Sequence, residues 1–287
     1  MDIQIFTDSS SDLPLSYFEE NDIHLIPLQV HIGQENYLDL VSINPLKVYE
    51  AIGSGEMPKT SQATPVQLEE AFIELAKSKK PGIFLPISSP LSGTYQTAKM
   101  VHDQVKEEYP DLDLTIIDTN CVSLGLGMVI QHIVEFRKTN PSKDELVQFI
   151  QFHCDHMEHL FTVEDLDFLA KGGRLSKASA FLGGLLNIKP LLHVEEGKLV
   201  PLEKIRGKKK LLKRLLDVME ERGADLASQT IGISHGDDEQ LALEMKQMIE
   251  ERFGTRSFYI NIIGSVVASH AGPGTLAIFF LNEKYTN

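Results

Sequence analysis

Through its first half the chain alternates short apolar bursts with longer amphipathic stretches. IQIFTD, LIPLQV, GIFLPI and LTIID are the bursts, and segments of helical periodicity separate them. Bursts without polar alternation fit strands buried on both faces, and strands spaced by helices build a parallel sheet under helical cover. The clearest helix is PVQLEEAFIELAKSKK, where Val66, Leu68, Ala71, Phe72, Leu75 and Ala76 recur at near-helical spacing behind Pro65. The predicted class is α/β, with an N-terminal domain on a mainly parallel sheet flanked by helices.

After the Asn140-Pro141 break the pattern changes. NPSKDELVQFIQFHCDHMEHLF reads as a helix, and PLLHVEEGKLVPLEKIR reads as two strands turning at Glu196-Gly197, which implies an antiparallel pair. QTIGISH and FYINIIG flank the helix DEQLALEMKQMIEERFG, and GPGTLAIFFLN ends the pattern as a buried strand. These features predict a C-terminal α/β domain with a mixed sheet, and a boundary that gives domains 1–158 and 159–287. A chain of 287 residues exceeds the usual single-domain size, so two hydrophobic cores are expected.

Charge removes one class of function. Forty-one acidic against twenty-seven basic residues leave −14, the wrong sign for a protein that neutralises phosphate backbones, so nucleic acid is not an expected partner. No apolar run is long enough to span a bilayer, and MDIQIFTDSS enters a strand pattern without a basic leader; a cytoplasmic location is the expectation. Cys121 and Cys154 are too few for a disulfide framework and are expected as free thiols.

Three small polar turns adjoin apolar runs: FTDSSSDLP, KTSQATP and SSPLSGTYQ. Ligands of open α/β sheets sit outside the carboxyl ends of the strands, where such turns gather. Helix capping by Asp8, Ser9, Asp12, Thr64 and Ser92 accounts for part of this chemistry and is compatible with anion binding. A serine hydrolase acting on a lipid or ester with Ser92 and His270 is the alternative, although Ser92 in PLSGT lacks the G-x-S-x-G elbow. Neither G-x-x-x-x-G-K-[ST] nor G-x-G-x-x-G occurs, which withdraws the main support for nucleotide binding. The HCDHMEH segment, with His153, Cys154, His156 and His159, reads as surface histidines at a helix end, and no metal is expected. His270 stands before a Gly-Pro-Gly turn that lets backbone approach a ligand closely.

Taken together, TDSSSDLP, PKTSQATP, ISSPLSGTYQTA, IIDTNCVSLGLG, LDFLAKGGRLSKASAFLGGLLNIKPLL, LEKIRGKKKLLKRLL and SHAGPGTLAIFF resemble the DegV family of bacterial fatty-acid-binding proteins, in order and over nearly the whole chain. The resemblance implies two α/β domains with a long-chain fatty acid between them and no cofactor. It puts the carboxylate against Thr60, Ser61, Ser92, Gly93, Thr94 and His270. It further implies a carrier that catalyses nothing alone: an ATP-dependent fatty acid kinase subunit phosphorylates the bound carboxylate, and an acceptor enzyme of phospholipid synthesis takes the acyl phosphate.

The acyl chain is expected against Phe161, Leu166, Phe168 and Leu169, and against Phe181, Leu182, Leu185 and Ile188, around the glycine pair Gly183-Gly184. Lys204 to Arg214 holds seven basic residues in eleven, in an otherwise acidic chain. A solvated helix face accounts for most of them. The resemblance suggests contact with the kinase or the transferred phosphate for Arg206 and Arg174, a task suited to planar guanidinium.

Overall fold

A computed structural model describes residues 2–175 and 188–286. The chain runs through β1 (Gln4–Asp8), a 3₁₀ turn at Ser9–Ser11, α1 (Leu15–Glu20), β2 (Ile23–Ile26), β3 (Gln29–Ile32), β4 (Glu35–Leu38), α2 (Pro45–Gly53) and β5 (Lys59–Ser61). It continues with α3 (Pro65–Ser78), β6 (Gly82–Leu85), α4 (Thr94–Glu108), β7 (Leu114–Ile116), α5 (Leu124–Arg137) and α6 (Lys143–His156). Then come β8 (Met157–Thr162), α7 (Leu166–Lys171), β9 (Ile188–Glu195), β10 (Lys198–Arg206) and α8 (Lys208–Arg222). β11 (Thr230–His235), α9 (Glu239–Phe253), β12 (Ser257–Ile262), α10 (Ser265–Ala271) and β13 (Leu276–Leu281) complete it.

The strands form a parallel sheet ordered β2-β1-β6-β7, an antiparallel sheet β4-β3-β5, and a mixed sheet β10-β9-β8-β13-β11-β12. The mixed sheet is antiparallel except at β11 and β12. The α/β class, with a parallel sheet first and a mixed sheet second, is as the sequence predicts. The β9–β10 hairpin turns at Glu196 and Gly197, both in the left-handed region with φ of 49° and 73°, the signature of a primed hairpin turn.

Strand alternation distributes the core into three layers rather than the two expected cores. Ile5, Ile83 and Leu85 face α5 and α6, while Phe6 and Phe84 face α3 and α4. In β13, Ala277, Phe279 and Leu281 join the α5–α6 layer, and Leu276, Ile278 and Phe280 pack with α8 and α9. Helix α5 is buried nearly all round, as its apolar LGLGMVI run requires, and it packs between both large sheets. The middle layer is therefore common to the two halves, and the mixed sheet already begins at Met157.

One strand assignment is corrected. LIPLQV divides at Pro27-Leu28: Ile23–Ile26 joins the parallel sheet and Gln29–Ile32 the antiparallel one. Proline has no N–H for a ladder, and the Leu28 N–H goes instead to Ser9 Oγ at 3.1 Å.

Candidate functional site

The polar turns cluster where β1 and β6 end. Asp8 accepts the Ser10 N–H at 3.0 Å and the Ile87 N–H at 2.8 Å, so the first turn holds the third. Within SSPLSGT the hydroxyls divide their work. Ser88 donates to the Gly197 carbonyl at 2.7 Å, pinning the β9–β10 hairpin tip onto the N-terminal half. Ser92 faces a cavity and lies 3.0 Å from Thr94 Oγ1, which is itself fully buried and takes the Ala63 N–H at 3.4 Å.

That cavity, about 840 Å³ counted out to its open mouth, lies between the halves. Thr60, Ser61 and Gln62 of β5 and its following loop, Ser92, Arg174 and His270 make one polar group in its wall. Val194, Leu199, Phe161, Phe279, Ala277 and Val122 make much of the rest, and that part is apolar.

At the polar end His270, in the last turn of α10, meets Thr60 Oγ1 through Nε2 at 2.7 Å. Its Nδ1 lies against Gly172, where an added Cβ would stand 2.4 Å away. Burial, with the nearby Arg174 charge second, pushes His270 down to about 4, so the ring is neutral at physiological pH. Arg174 donates from Nε to the Leu91 carbonyl at 3.2 Å and from Nη1 to the Gly172 carbonyl at 2.5 Å. Among the described residues its guanidinium meets backbone carbonyls rather than a carboxylate, so a half-buried positive charge stands beside a neutral imidazole at the cavity. A Ser92–His270 pair of the hydrolase kind is not formed: His270 takes Thr60, and Ser92 takes Thr94.

A family model described as "Uncharacterised protein, DegV family" matches residues 2–283. The chain belongs to the DegV family. A DegV domain-containing protein of Clostridium perfringens is 38% identical over 282 residues, covering 97% of each chain. The solved structure titled as fatty acid binding of a DegV family protein from Thermus thermophilus is 30% identical, with a TM-score of 0.86 over 97% of this chain and 99% of that one. The structure of a stearic acid-binding protein from Eubacterium ventriosum is 25% identical, with a TM-score of 0.88 over 98% and 99%.

In this DegV chain Thr60, Ser61, Ser92, Arg174 and His270 converge on the cavity, as do Phe161 and Leu169. Ser61 is also engaged from outside, by His31 Nε2 at 2.7 Å. Gly93 and Thr94 lie behind the wall: Gly93 leaves room for the Gln62 side chain, and Thr94 braces Ser92. Leu166 packs in the α5–α6 layer, Phe168 against Gly272, and Ile188 pairs with Arg206 on the edge hairpin, so these three are not among the lining residues. Phe181, Leu182 and Leu185, with Gly183-Gly184, lie outside the described residues. Arg206 is exposed at the end of β10, away from the cavity wall.

The HCDHMEH reading is corrected. His153 and His159 are buried, because His159 sits on strand β8 and His153 stacks with Phe149 and His132. His159 lines the cavity with a neutral ring that accepts the Val122 N–H at 3.3 Å, with Nδ1 2.9 Å from the Met157 carbonyl. Burial pushes it down to about 4. Gly125 makes this contact possible, since a Cβ there would lie 2.1 Å from His159 Nε2. Gly125 of SLGLG is the trace of this approach in the sequence.

Proposed function

We propose that the chain binds a long-chain fatty acid in this cavity, its carboxylate against Thr60, Ser92, Arg174 and His270 and its tail along the apolar wall. One observation carries the reading: at one end of a largely apolar cavity a guanidinium that meets no carboxylate among the described residues, a neutral imidazole and hydroxyls come together. That is the complement of an amphipathic anion. Burying a sixteen-carbon tail is worth about 12 kcal/mol gross at ~0.8 kcal/mol per methylene, before association costs. Each charge-assisted hydrogen bond adds about 1.5–3 kcal/mol, so the tail sets affinity while the polar end selects and orients a carboxylate. The fatty-acid ligands of the family's solved members support the same reading.

In the fuller form of this proposal the chain is a bacterial, cytoplasmic carrier without catalysis of its own. It presents the carboxylate to an ATP-dependent kinase subunit, and the acyl phosphate passes to an acceptor enzyme of phospholipid synthesis. The exposed Arg206 is then a contact for the kinase or the transferred phosphate. Arg206→Ala should slow kinase-coupled acyl phosphate formation while leaving palmitate binding unchanged; unchanged formation would remove that role.

Native mass spectrometry of protein purified without added lipid, repeated after solvent extraction, tests the binding itself. A stoichiometric long-chain acid is expected. Protein that is empty and takes up neither palmitate nor oleate overturns the proposal. The polar end has its own test in Gly172→Ala, whose methyl would displace the His270 ring or strain against the Phe168 carbonyl 3.1 Å away. Palmitate affinity should fall about tenfold, the scale of one lost hydrogen bond to a charged group. Calorimetric titration reads it, and an unchanged Kd would mean that His270 is not held by this contact.

A further inference from the structure

Asp12 is not among the residues lining the cavity, but it meets one of them, Ser123; it is buried, and its contacts converge from three separate elements. One carboxylate oxygen accepts the Gly264 N–H at 2.9 Å. The other takes the Ser123 hydroxyl, and the Leu124 N–H points to the same group. Its backbone carbonyl accepts the Asn261 side-chain amide at 2.5 Å. Gly264 is the N-cap of α10 and Ser123 the N-cap of α5, and neither helix start has a side-chain cap of its own. A single side chain from the first polar turn thus serves orphan donors at two helix starts.

Both helices reach the site, α10 along its length and α5 at its start. α10 spans only about 10 Å at 1.5 Å per residue, and it carries Val266, Val267, His270 and Ala271 of the cavity wall, so a shift at its start reaches His270 directly. At the start of α5, Ser123 lines the cavity with φ 58° and ψ −150°, a region that is almost exclusive to glycine and persists only where surroundings over-determine it. Its hydroxyl is held by Asp12 on one side and lies 3.2 Å from Ser234 Oγ of β11 on the other. Gly264 in turn leaves the space that Asp12 occupies: a Cβ at that position would lie 2.9 Å from Asp12 Oδ1.

We infer that Asp12 is the positioning residue of the carboxylate end, capping α10 and α5 together and so setting His270 against Thr60 and Ser123 in its strained conformation. The inference rests on the fatty-acid reading above. It assigns to the last residue of the TDSSSD turn a task at a distance, rather than the capping of its own turn. Burial pushes the Asp12 carboxyl up to about 7 against the pull of Ser123 and Gly264, with Asp39 adding repulsion, so the group is kept in place at a cost.

The test compares palmitate with hexadecanol, which share a tail and differ at the head, by displacement of a fluorescent fatty acid. The wild-type protein should prefer palmitate by about tenfold or more, as a hydrogen-bonded anion requires. Asp12→Ala should shrink that preference by about fivefold, the scale of a lost helix cap, with hexadecanol affinity unchanged. Asp12→Asn should restore part of it, because its side-chain oxygen still accepts the Gly264 N–H while its amide nitrogen cannot accept the Leu124 N–H. If Asp12→Ala does not fold, Gly264→Ala carries the comparison, since its methyl displaces the carboxylate from the other side. Equal weakening of both ligands, or an unaltered preference in every variant, overturns the inference while leaving the binding function in place. A wild-type protein without any preference for the acid removes the head-group reading and the inference with it.

Discussion

Replacing Ala277 by phenylalanine should cut the affinity for a sixteen-carbon acid by roughly a thousandfold. The residue alternates with Leu276 and Ile278 along β13, so it faces the middle layer and lines the cavity beside Phe279 and opposite Phe161. A benzyl group placed there takes the space of several methylenes of the tail. Five methylenes denied burial cost about 4 kcal/mol at ~0.8 kcal/mol each, which is about three decades in Kd. Acids of about ten carbons, whose tails stop short of the obstruction, should lose much less. A chain-length series run on the variant and the wild-type protein, with thermal melts to register any repacking, separates the two effects. Palmitate affinity within a few-fold of wild type, in a variant that melts normally, would mean that the tail lies elsewhere.

That Ala277 belongs to the apolar wall of the cavity was not readable from LAIFFL, because a run apolar at every position carries no period-two signal of its two faces. The same holds for Val194 and Leu199, which a hairpin delivers to the cavity from a segment that reads only as an antiparallel pair. Elements with their own punctuation were legible: Thr64 with Gln67 forms the capping box of α3, and Glu196-Gly197 makes the hairpin turn. At the polar end, KTSQ, LSGT and HAGPG name residues whose chemistry betrays them, and Thr60, Ser92 and His270 do meet at the cavity. Thr94 shares that chemistry but turns inward to brace Ser92, a choice made by tertiary packing. His159 went the other way. Its helix-like neighbourhood hid a strand, and Gly125 of SLGLG, far along the chain, marks where its ring packs.

Arg174 offers the sharpest check on the electrostatics of the polar end. Arg174→Met keeps a long apolar stem and removes the one guanidinium that the cavity wall holds without a carboxylate among the described residues. Loss of charge-assisted hydrogen bonding to the ligand should weaken palmitate binding by roughly ten- to a hundredfold. His270 adds a second consequence. In the wild-type protein burial and Arg174 hold its ring down to about 4, so it stays neutral on both sides of physiological pH. Without the guanidinium the smaller of the two causes is gone while burial remains, and an arriving carboxylate favours the protonated ring. Binding to the variant then takes up a proton, and by linkage its affinity rises as the pH falls from about 8 towards about 5.5. Ionisation of the ligand itself is common to both proteins and cancels in their ratio. The deficit of the variant should therefore be largest at high pH and shrink as the solution is acidified. A deficit that is constant across that range would show that burial keeps the His270 ring neutral even beside the carboxylate.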